Sequence, residues 1–203
     1  MFKCKAAPKP SVKREAILDA AREVFLEQGY ASASMDTVAS RAGVSKATIY
    51  AHFDSKDELF GAMIQRRCEL NATFDPIDSN LSAAATLTMI GQRLLSMLLQ
   101  PDTLAVYRVV VSEAARHPDL ARAFYESGPG KGKTQIAAML SELDRRGELT
   151  IPDAWTAADQ FVGLLRTDLF MRSLLGLPQQ EGRTVAGAIA GAVEIMLRAY
   201  AKK

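Results

Sequence analysis

The sequence predicts an all-α protein in which a small N-terminal unit of short helices precedes a larger helical unit. Apolar residues recur at helical spacing along most of the chain, and no segment alternates apolar and polar residues for long enough to form a strand. Residues 34–60 contain serines that can cap helices and one glycine that can end a helix. With 203 residues, 48% of them apolar, the chain can bury a sizeable core.

The first helix is predicted from Val12 to Gln28, because Ile17, Ala21 and Phe25 lie on one apolar stripe. Residues 34–60 then predict two short helices joined by a tight turn, with a third helix after them. The helix-capping serines are Ser34, Ser45 and Ser55, Gly43 ends the first short helix, and Glu58 completes a capping-box pattern in the third.

Two short helices joined by a glycine-containing turn form a helix-turn-helix unit, whose second helix enters the major groove of DNA. In the second helix, residues 46–53, Ile49 and Phe53 lie four apart and are expected to pack inward. The side chains expected to face outward are Lys46, Ala47, Thr48, Tyr50, Ala51 and His52. Such a surface can approach base edges and bond phosphates. An ordinary surface turn is the alternative.

The segment from residue 11 to residue 70 resembles the DNA-binding domain of the tetracycline-repressor (TetR/AcrR) family. The run Tyr50-x-His52-Phe53-x-Ser55-Lys56 is its most specific part. The resemblance implies three base-reading residues, Lys46, Ala47 and Thr48. It implies three phosphate-holding residues, Tyr50, His52 and Lys56. Thr37 and Ser45 complete the predicted DNA-binding set. Val38 and Ala51 depart from residues that are commoner in the family.

The rest of the chain is predicted to be helical on both sides of a break at residues 75–79. The predicted helices cover residues 56–72, 81–100, 102–117, 118–127, 134–146, 154–175 and 182–199. The expected domains are a flexible basic tail over 1–10, a helix-turn-helix DNA-binding domain over 11–72, and a helical ligand-binding and dimerisation domain over 73–203. The run from Tyr107 to Leu120 resembles the AefR-like type of regulatory domain, which implies a fold and not a ligand.

Small residues along the last helix predict a dimer interface. Gly187 and Gly191 stand among four alanines, beside apolar residues that include Val193 and Leu197. Small side chains let helix backbones approach closely, so the last two helices are expected to pair with those of a second copy. A tightly packed helix pair within one chain is the alternative. A dimer would hold two reading helices about 34–36 Å apart, which suits a palindromic operator.

The family resemblance also implies a pocket for a small-molecule effector, expected to be apolar, whose binding releases the operator. Apolar walls with a few polar anchors are typical of such sites, and methionine suits adaptable walls. The candidate lining residues are Met89, Arg93, Met97, Tyr107, Val110, Trp155, Phe161 and Asp168. Plain core packing is the alternative, and a constitutive DNA-binding protein without an effector stays open beside the effector-released repressor.

A nucleotide-binding loop is the competing interpretation of residues 127–134. Their Gly-Lys-Thr end fits a phosphate-cradling loop, but the first required glycine is Ser127 and a helix rather than a strand is predicted before it. His52 and His117 stand in no recognisable catalytic motif. The sequence therefore predicts no enzyme, no cofactor and no metal site.

Charge and cysteine usage indicate the expected surroundings. Residues 1–14 hold five basic residues and no acidic one, whereas residues 15–71 hold six basic and nine acidic residues. The tail is expected to stay disordered until it meets a polyanion, or to remain a solvated terminus. No 18-residue apolar run and no signal region occur. Cys4 and Cys68 have neither a paired spacing nor a histidine cluster nearby, so they are expected to be free thiols. A cytoplasmic protein that binds double-stranded DNA is expected.

Overall fold

The computed structural model describes residues 11–71 and 81–202, with the backbone alone for residues 67–71. Eleven helices and no strand occur in these residues, which confirms the all-α prediction. The helices are α1 (Val12–Ser32), α2 (Met35–Arg41), α3 (Lys46–Tyr50), α4 (Lys56–Asn71), α5 (Ala83–Leu98), α6 (Pro101–Glu113), α7 (Pro118–Ser127), α8 (Pro129–Arg145), α9 (Ala154–Leu165), α10 (Asp168–Leu175) and α11 (Val185–Ala199). The predictions for the basic tail, the break at residues 75–79 and both cysteine side chains lie outside the described residues.

Most helices lie close to their predicted positions, and the differences have local causes. The prediction of a single helix over residues 154–175 was wrong. The backbone leaves helical geometry at Arg166 and Thr167, which separates α9 from α10. α8 begins at Pro129 rather than at residue 134, since proline suits the first position of a helix. α1 runs on past Gly29, which puts a kink in it through a positive φ of 75°.

A first hydrophobic core holds α1 to α4 together. Phe25, Tyr30 and Phe60 form an aromatic cluster with ring centroids 5.3 to 5.6 Å apart. Ile49 of α3 and Phe53 just after it are buried in the same core. The short helices α2 and α3 are thereby anchored on the longer helices α1 and α4.

A second core lies between α5, α8, α9 and α11. Leu87 and Phe161 are fully buried within it. Gly91 permits α5 to cross α9 and α11 closely, because a Cβ at this position would lie 3.1 Å from Ile189 Cγ2 and 3.3 Å from Leu165 Cδ2. A larger side chain at this crossing would push the helices apart.

The two cores meet at a packed junction formed by α6 and α7. Val106 and Val110 of α6 and Leu120 of α7 belong to the core of α1 to α4. Arg22 of α1 also forms an ion pair with Asp102 of α6. The N-terminal helices are therefore seated on the C-terminal bundle through α6 and α7.

α4 crosses α7 closely at this junction. Gly61 lies at the crossing, where an added Cβ would stand 3.1 Å from Ser127 Oγ and 3.4 Å from Ala123 Cβ. Because α4 also packs on α1, it connects α7 with the N-terminal unit.

No single helix among the described residues has the length and apolar character needed to cross a bilayer. Helices α5 and α6 have the required length and apolar character only when they are taken as a pair, and this pair is bent by 69° where the two helices meet.

The crossing at Gly61 gives a testable prediction. Gly61→Val should lower the free energy of unfolding by about 1–3 kcal/mol more than Gly132→Val, because valine at position 61 is forced against α7. The Gly132 variant is the matched control, since a Cβ on that helical glycine meets nothing within 4 Å. Urea unfolding followed by circular dichroism measures both. Equal losses would contradict a close helix crossing at residue 61.

Candidate nucleic-acid interface and internal cavity

The helix-turn-helix unit is built by local hydrogen bonds that its sequence supplies. Ser34 Oγ accepts a hydrogen bond from Thr37 N, and Ser45 Oγ accepts one from Thr48 N, each 3.1 Å long. Gly43 adopts a left-handed φ of 65° between the two helices. The N–H of Val44 then donates to the carbonyl of Ala39 at 3.0 Å, which closes the end of α2. The turn therefore fixes the angle at which α3 leaves α2.

α3 presents nearly its whole surface to solvent. Ile49 is 0% exposed and Phe53 is 2% exposed, so these two side chains anchor the segment. Exposed side chains occur at Lys46, Ala47, Tyr50 and Ala51, and those of Thr48 and His52 are half-buried. The structure thus confirms the inward-facing pair that the spacing predicted. Ser45 and Thr48 share a hydroxyl contact of 2.8 Å, and so do Ser34 and Thr37.

Lys46 lies in an ion pair with Asp36 of α2. Its Nζ atom donates to Asp36 Oδ2 at 2.8 Å, and this hydrogen bond is the main reason that the pKa of Lys46 is raised. Both side chains are more than half exposed, so the pair contributes little to stability and is readily exchanged for another partner. Asp36 takes one of the three N–H groups of Lys46, which leaves two for another partner.

Lys56 has a structural role that the sequence did not indicate. Its Nζ atom donates to the carbonyl oxygens of Tyr30 at 2.8 Å and Ala33 at 3.1 Å, and it lies 4.3 Å from the centroid of the Tyr30 ring. Burial lowers the pKa of its amine. The carbonyls at the end of α1 take two of its three N–H groups. The predicted phosphate contact therefore rests on the remaining one and stays a prediction.

Tyr30 connects the helix-turn-helix unit to the junction. Its hydroxyl donates a hydrogen bond to Asp57 of α4, and its ring lies 5.3 Å from that of His117, which precedes α7. Burial, followed by the hydrogen bond to Asp57, raises the pKa of the Tyr30 hydroxyl above its usual value. One side chain thus contacts both the DNA-binding unit and the bundle.

A cavity of about 250 Å³ lies between α4 and the helices α5 to α9. Three of the eight predicted lining residues contribute to it, namely Arg93, Met97 and Tyr107. Ile64 and Gln65 of α4 and Phe124 of α7 also line it. The cavity therefore adjoins the junction through which the N-terminal unit is seated.

The other five predicted lining residues lie elsewhere, which corrects that part of the prediction. Val110 is buried in the first core and Phe161 in the second, while Met89 is half-buried and outside the lining. Trp155 is 46% exposed, with Lys133 Nζ 5.2 Å from its ring centroid. Asp168 pairs with Arg172 one turn along α10. Apolar residues at helical spacing mostly serve the cores, because those positions face the neighbouring helices.

Many lining residues were missed by the sequence analysis, and about half of these are polar or charged. They include Thr103, Lys131, Lys133, Asp159 and Arg166. The two lysines belong to the segment 127–134 that resembled a nucleotide-binding loop. This segment forms the end of α7 and the start of α8 instead of a loop after a strand, so it lacks the geometry of that loop. Its lysine pair was the signal that could have indicated the cavity.

Comparisons with known proteins agree with this architecture. Residues 17–63 match the family described as bacterial regulatory proteins, tetR family, and residues 85–202 match the AefR-like transcriptional repressor, C-terminal domain. The chain belongs to the TetR family. TetR-family relatives and structural neighbours are transcriptional regulators, so this protein is a DNA-binding transcriptional regulator and not an enzyme, as predicted.

Individual TetR-family relatives match to different extents. The transcriptional activator FasR of Mycolicibacterium smegmatis is 51% identical over 57 residues, so the match spans 28% of this chain and only about a quarter (26%) of FasR. The regulator UidR of Escherichia coli K12 is 30% identical over 154 residues, which are 71% of this chain and 72% of UidR. The solved structure of the flavonoid-responsive regulator FrrA superposes with a TM-score of 0.78 at 33% identity and covers 94% of this chain and 98% of FrrA.

Tyr30 gives a prediction of pH dependence. At pH 8, the free energy of unfolding of Tyr30→Phe should be about 1 kcal/mol lower than that of the wild type, because the hydrogen bond to Asp57 is lost. The raised pKa keeps the folded tyrosine protonated where the unfolded one ionises, near pH 10, so wild-type stability falls as the pH rises above 10. The gap between the two proteins should therefore shrink by pH 11.

Urea unfolding of both proteins at pH 8 and pH 11 measures this gap. The lowered pKa of Lys56 acts in both proteins and cancels in the comparison, since phenylalanine keeps the ring below the amine. A gap that stays constant or widens would contradict the assignment of the raised pKa to Tyr30.

Proposed function

We propose that this TetR-family regulator is a dimeric repressor that binds a palindromic operator in the cytoplasm and leaves it when a small molecule occupies the cavity. The observation that carries the proposal is the presentation of α3. Ile49 anchors a five-residue helix in which Lys46, Ala47 and Tyr50 are exposed and Thr48 is half-buried. A helix exposed in this way fits the major groove, which is about 12 Å wide.

The residues of α3 and its neighbours divide into two proposed roles. Lys46, Ala47 and Thr48 lie in the first turn of α3, from which a recognition helix reads bases. The proposed phosphate contacts come from Thr37, Ser45, Tyr50, His52 and Lys56. The small side chain of Ala47 leaves room for the helix to approach a thymine methyl group. Because acidic residues outnumber basic ones over 15–71, affinity depends on these local contacts and not on net charge.

Dimerisation is supported by glycines that the single chain does not need. A Cβ at Gly163 of α9 or at Gly191 of α11 would meet nothing within 4 Å, yet glycine in a helix interior costs about 1 kcal/mol relative to alanine. Exposed large apolar side chains accompany them on α9 to α11, at Trp155, Met171, Leu175 and Ile195. Close approach of a second copy explains both features. The α9 and α11 surfaces are therefore the proposed interface.

Effector control is supported by the position of the cavity. Ile64 and Gln65 of α4 line it, and α4 packs on α1 at one side and on α7 at the other. A ligand that prefers one arrangement of α4 and α7 changes the spacing of the two reading helices in a dimer. Coupling of this kind typically amounts to about 1–3 kcal/mol in DNA affinity. The flavonoid-responsive FrrA, which is similar along nearly the whole chain, supports control by a small molecule.

Repression, rather than activation, is proposed on the basis of the C-terminal domain. Its family is described as AefR-like transcriptional repressor, and it covers residues 85–202. The activator FasR matches over only 57 residues of this chain, which carries less weight for regulation than the longer match. Repression by occupancy of the operator is therefore the favoured outcome.

Selection of bound sequences from a random DNA library tests the reading role of α3. We expect a palindromic consensus for the purified protein. Lys46→Ala should change preference by about tenfold at one or two base pairs, because a lysine that reads a base contributes sequence information. Tyr50→Phe should weaken all sequences by a similar factor, because a phosphate contact carries none.

Lys202→Ala, at a lysine beyond the last helix, serves as the control and should leave the consensus and the affinity unchanged. A uniform loss of affinity from Lys46→Ala would remove this residue from the readers. The absence of any enriched sequence for the wild-type protein would overturn the proposed function.

A leucine on α11 tests the proposed interface. Gly191→Leu should convert a dimer to a monomer in sedimentation equilibrium, because the added side chain keeps the partner helices apart. Its fold should persist, since no described side chain or neighbouring helix lies within 4 Å of the added Cβ. Ala138→Leu places a leucine at an exposed position of α8 and should leave the dimer intact. A dimer of unchanged affinity in the Gly191 variant would contradict this interface.

A further inference from the structure

The cavity is lined by an excess of positive charge. Apart from Arg93, which has an interaction partner, three cationic side chains of the described residues contribute to its wall, namely Lys131, Lys133 and Arg166, against one carboxylate, that of Asp159. A cavity meant for a purely apolar molecule has no need of these three cations, because each must keep its hydration or find a partner. The excess therefore bears on the kind of molecule that the cavity accepts.

One of these cations is already neutralised. Lys133 Nζ donates a hydrogen bond to Asp159 Oδ1, and the same amine faces the ring of Trp155. This pair uses the one carboxylate that the described residues contribute to the lining. Any further cation at the cavity must therefore be neutralised by something other than an acidic residue of the lining.

Arg166 meets aromatic rings instead of a carboxylate. Its guanidinium carbon lies 4.6 Å from the ring centroid of Phe170 and 5.5 Å from that of Tyr107. These rings contact the guanidinium through cation–π interactions, and a guanidinium binds a planar acid through two parallel hydrogen bonds. The break between α9 and α10 falls at Arg166, so the irregular backbone brings this side chain to the cavity.

Much of the remaining wall is apolar. Leu94 and Met97 of α5, Val106 of α6 and Ile136 of α8 line it, together with the ring of Phe124. Apolar walls and a few converging polar groups bind small molecules that have one charged end. Lys131, an exposed lysine on the first turn of α8, lies in the lining with Arg166.

We infer that the effector is an amphipathic anion, a small apolar molecule with one carboxylate or phosphate group. Its acid is bound by Arg166 and Lys131, and its apolar part lies against Leu94, Met97 and Phe124. The inference rests on the proposed function, because it names the ligand class of the same cavity. It differs from the apolar effector expected from the sequence. The sequence alone does not show that Lys131 of α8 and Arg166, which follows α9, line the same cavity.

Calorimetric titration of the full chain with probes of one chain length tests the inference. Decanoate and decyl phosphate supply the two acids, decan-1-ol is the neutral match, and decylammonium carries the opposite charge. We expect at least one of the two anions to bind about tenfold more tightly than decan-1-ol, because hydrogen bonds between charged groups are the stronger ones. Decylammonium should bind weakest. The tighter of the two anions identifies the acid.

Variants then connect the selectivity with the residues. Arg166→Gln and Lys131→Gln should each weaken binding of the preferred anion by about fivefold to tenfold and change decan-1-ol binding by less than twofold. Arg183→Gln is the matched control, because Arg183 is exposed and lies outside the cavity lining. A side chain that only supported the fold would affect the neutral and anionic probes alike.

Three outcomes would overturn the inference: equal affinity for the anions and decan-1-ol, tighter binding of decylammonium, or no binding of any probe. None of these outcomes changes the interpretation of the DNA-library selection. In that experiment, the absence of an enriched sequence would overturn the proposed function itself. An anion that binds as expected should also lower the affinity for the selected operator, and this loss should be smaller in the Arg166 variant.

Discussion

The structure depends on the packing of α4 against two partners at once. On one side α4 contributes Phe60 and its neighbours to the core that supports α2 and α3, and on the other it crosses α7 at Gly61. A helix held on both sides cannot shift without a shift of what it touches, because packed interfaces deform in discrete steps. The orientation of α3 is therefore set partly by α7, and α7 forms one wall of the cavity.

The N-terminal half was largely predictable from the sequence because its structure is determined locally. Ser34, Gly43 and Ser45 specify caps and a turn through contacts no more than a few residues away, and the inward packing of Ile49 follows from its spacing to Phe53. The start of α8 at Pro129 was missed because Gly130 and Gly132 in its first turns have low helix propensity, although proline suits the first helical position. The break at Arg166 and Thr167 was missed because neither residue type marks a helix end in a sequence.

The cavity was predicted poorly for a different reason. Its wall is assembled from six helices, and whether a methionine or an aromatic residue faces a core or a cavity depends on how those helices are arranged. Phe161 and Val110 are apolar residues of the kind that lines pockets, but both are buried in the hydrophobic cores. Lys56 shows the same limit at the DNA-binding unit, because its carbonyl partners lie more than twenty residues away.

The brevity of α3 has a consequence for how regulators of this kind diverge. A single deeply buried residue, Ile49, joins the helix to its support, and Lys46, Ala47 and Ala51 are free of the interior. Substitutions at those surface positions leave the free energy of unfolding nearly unchanged, since exposed sites away from caps and cores tolerate replacement. A duplicated gene could therefore acquire a new target site in a few steps, while retaining the machinery that senses the ligand.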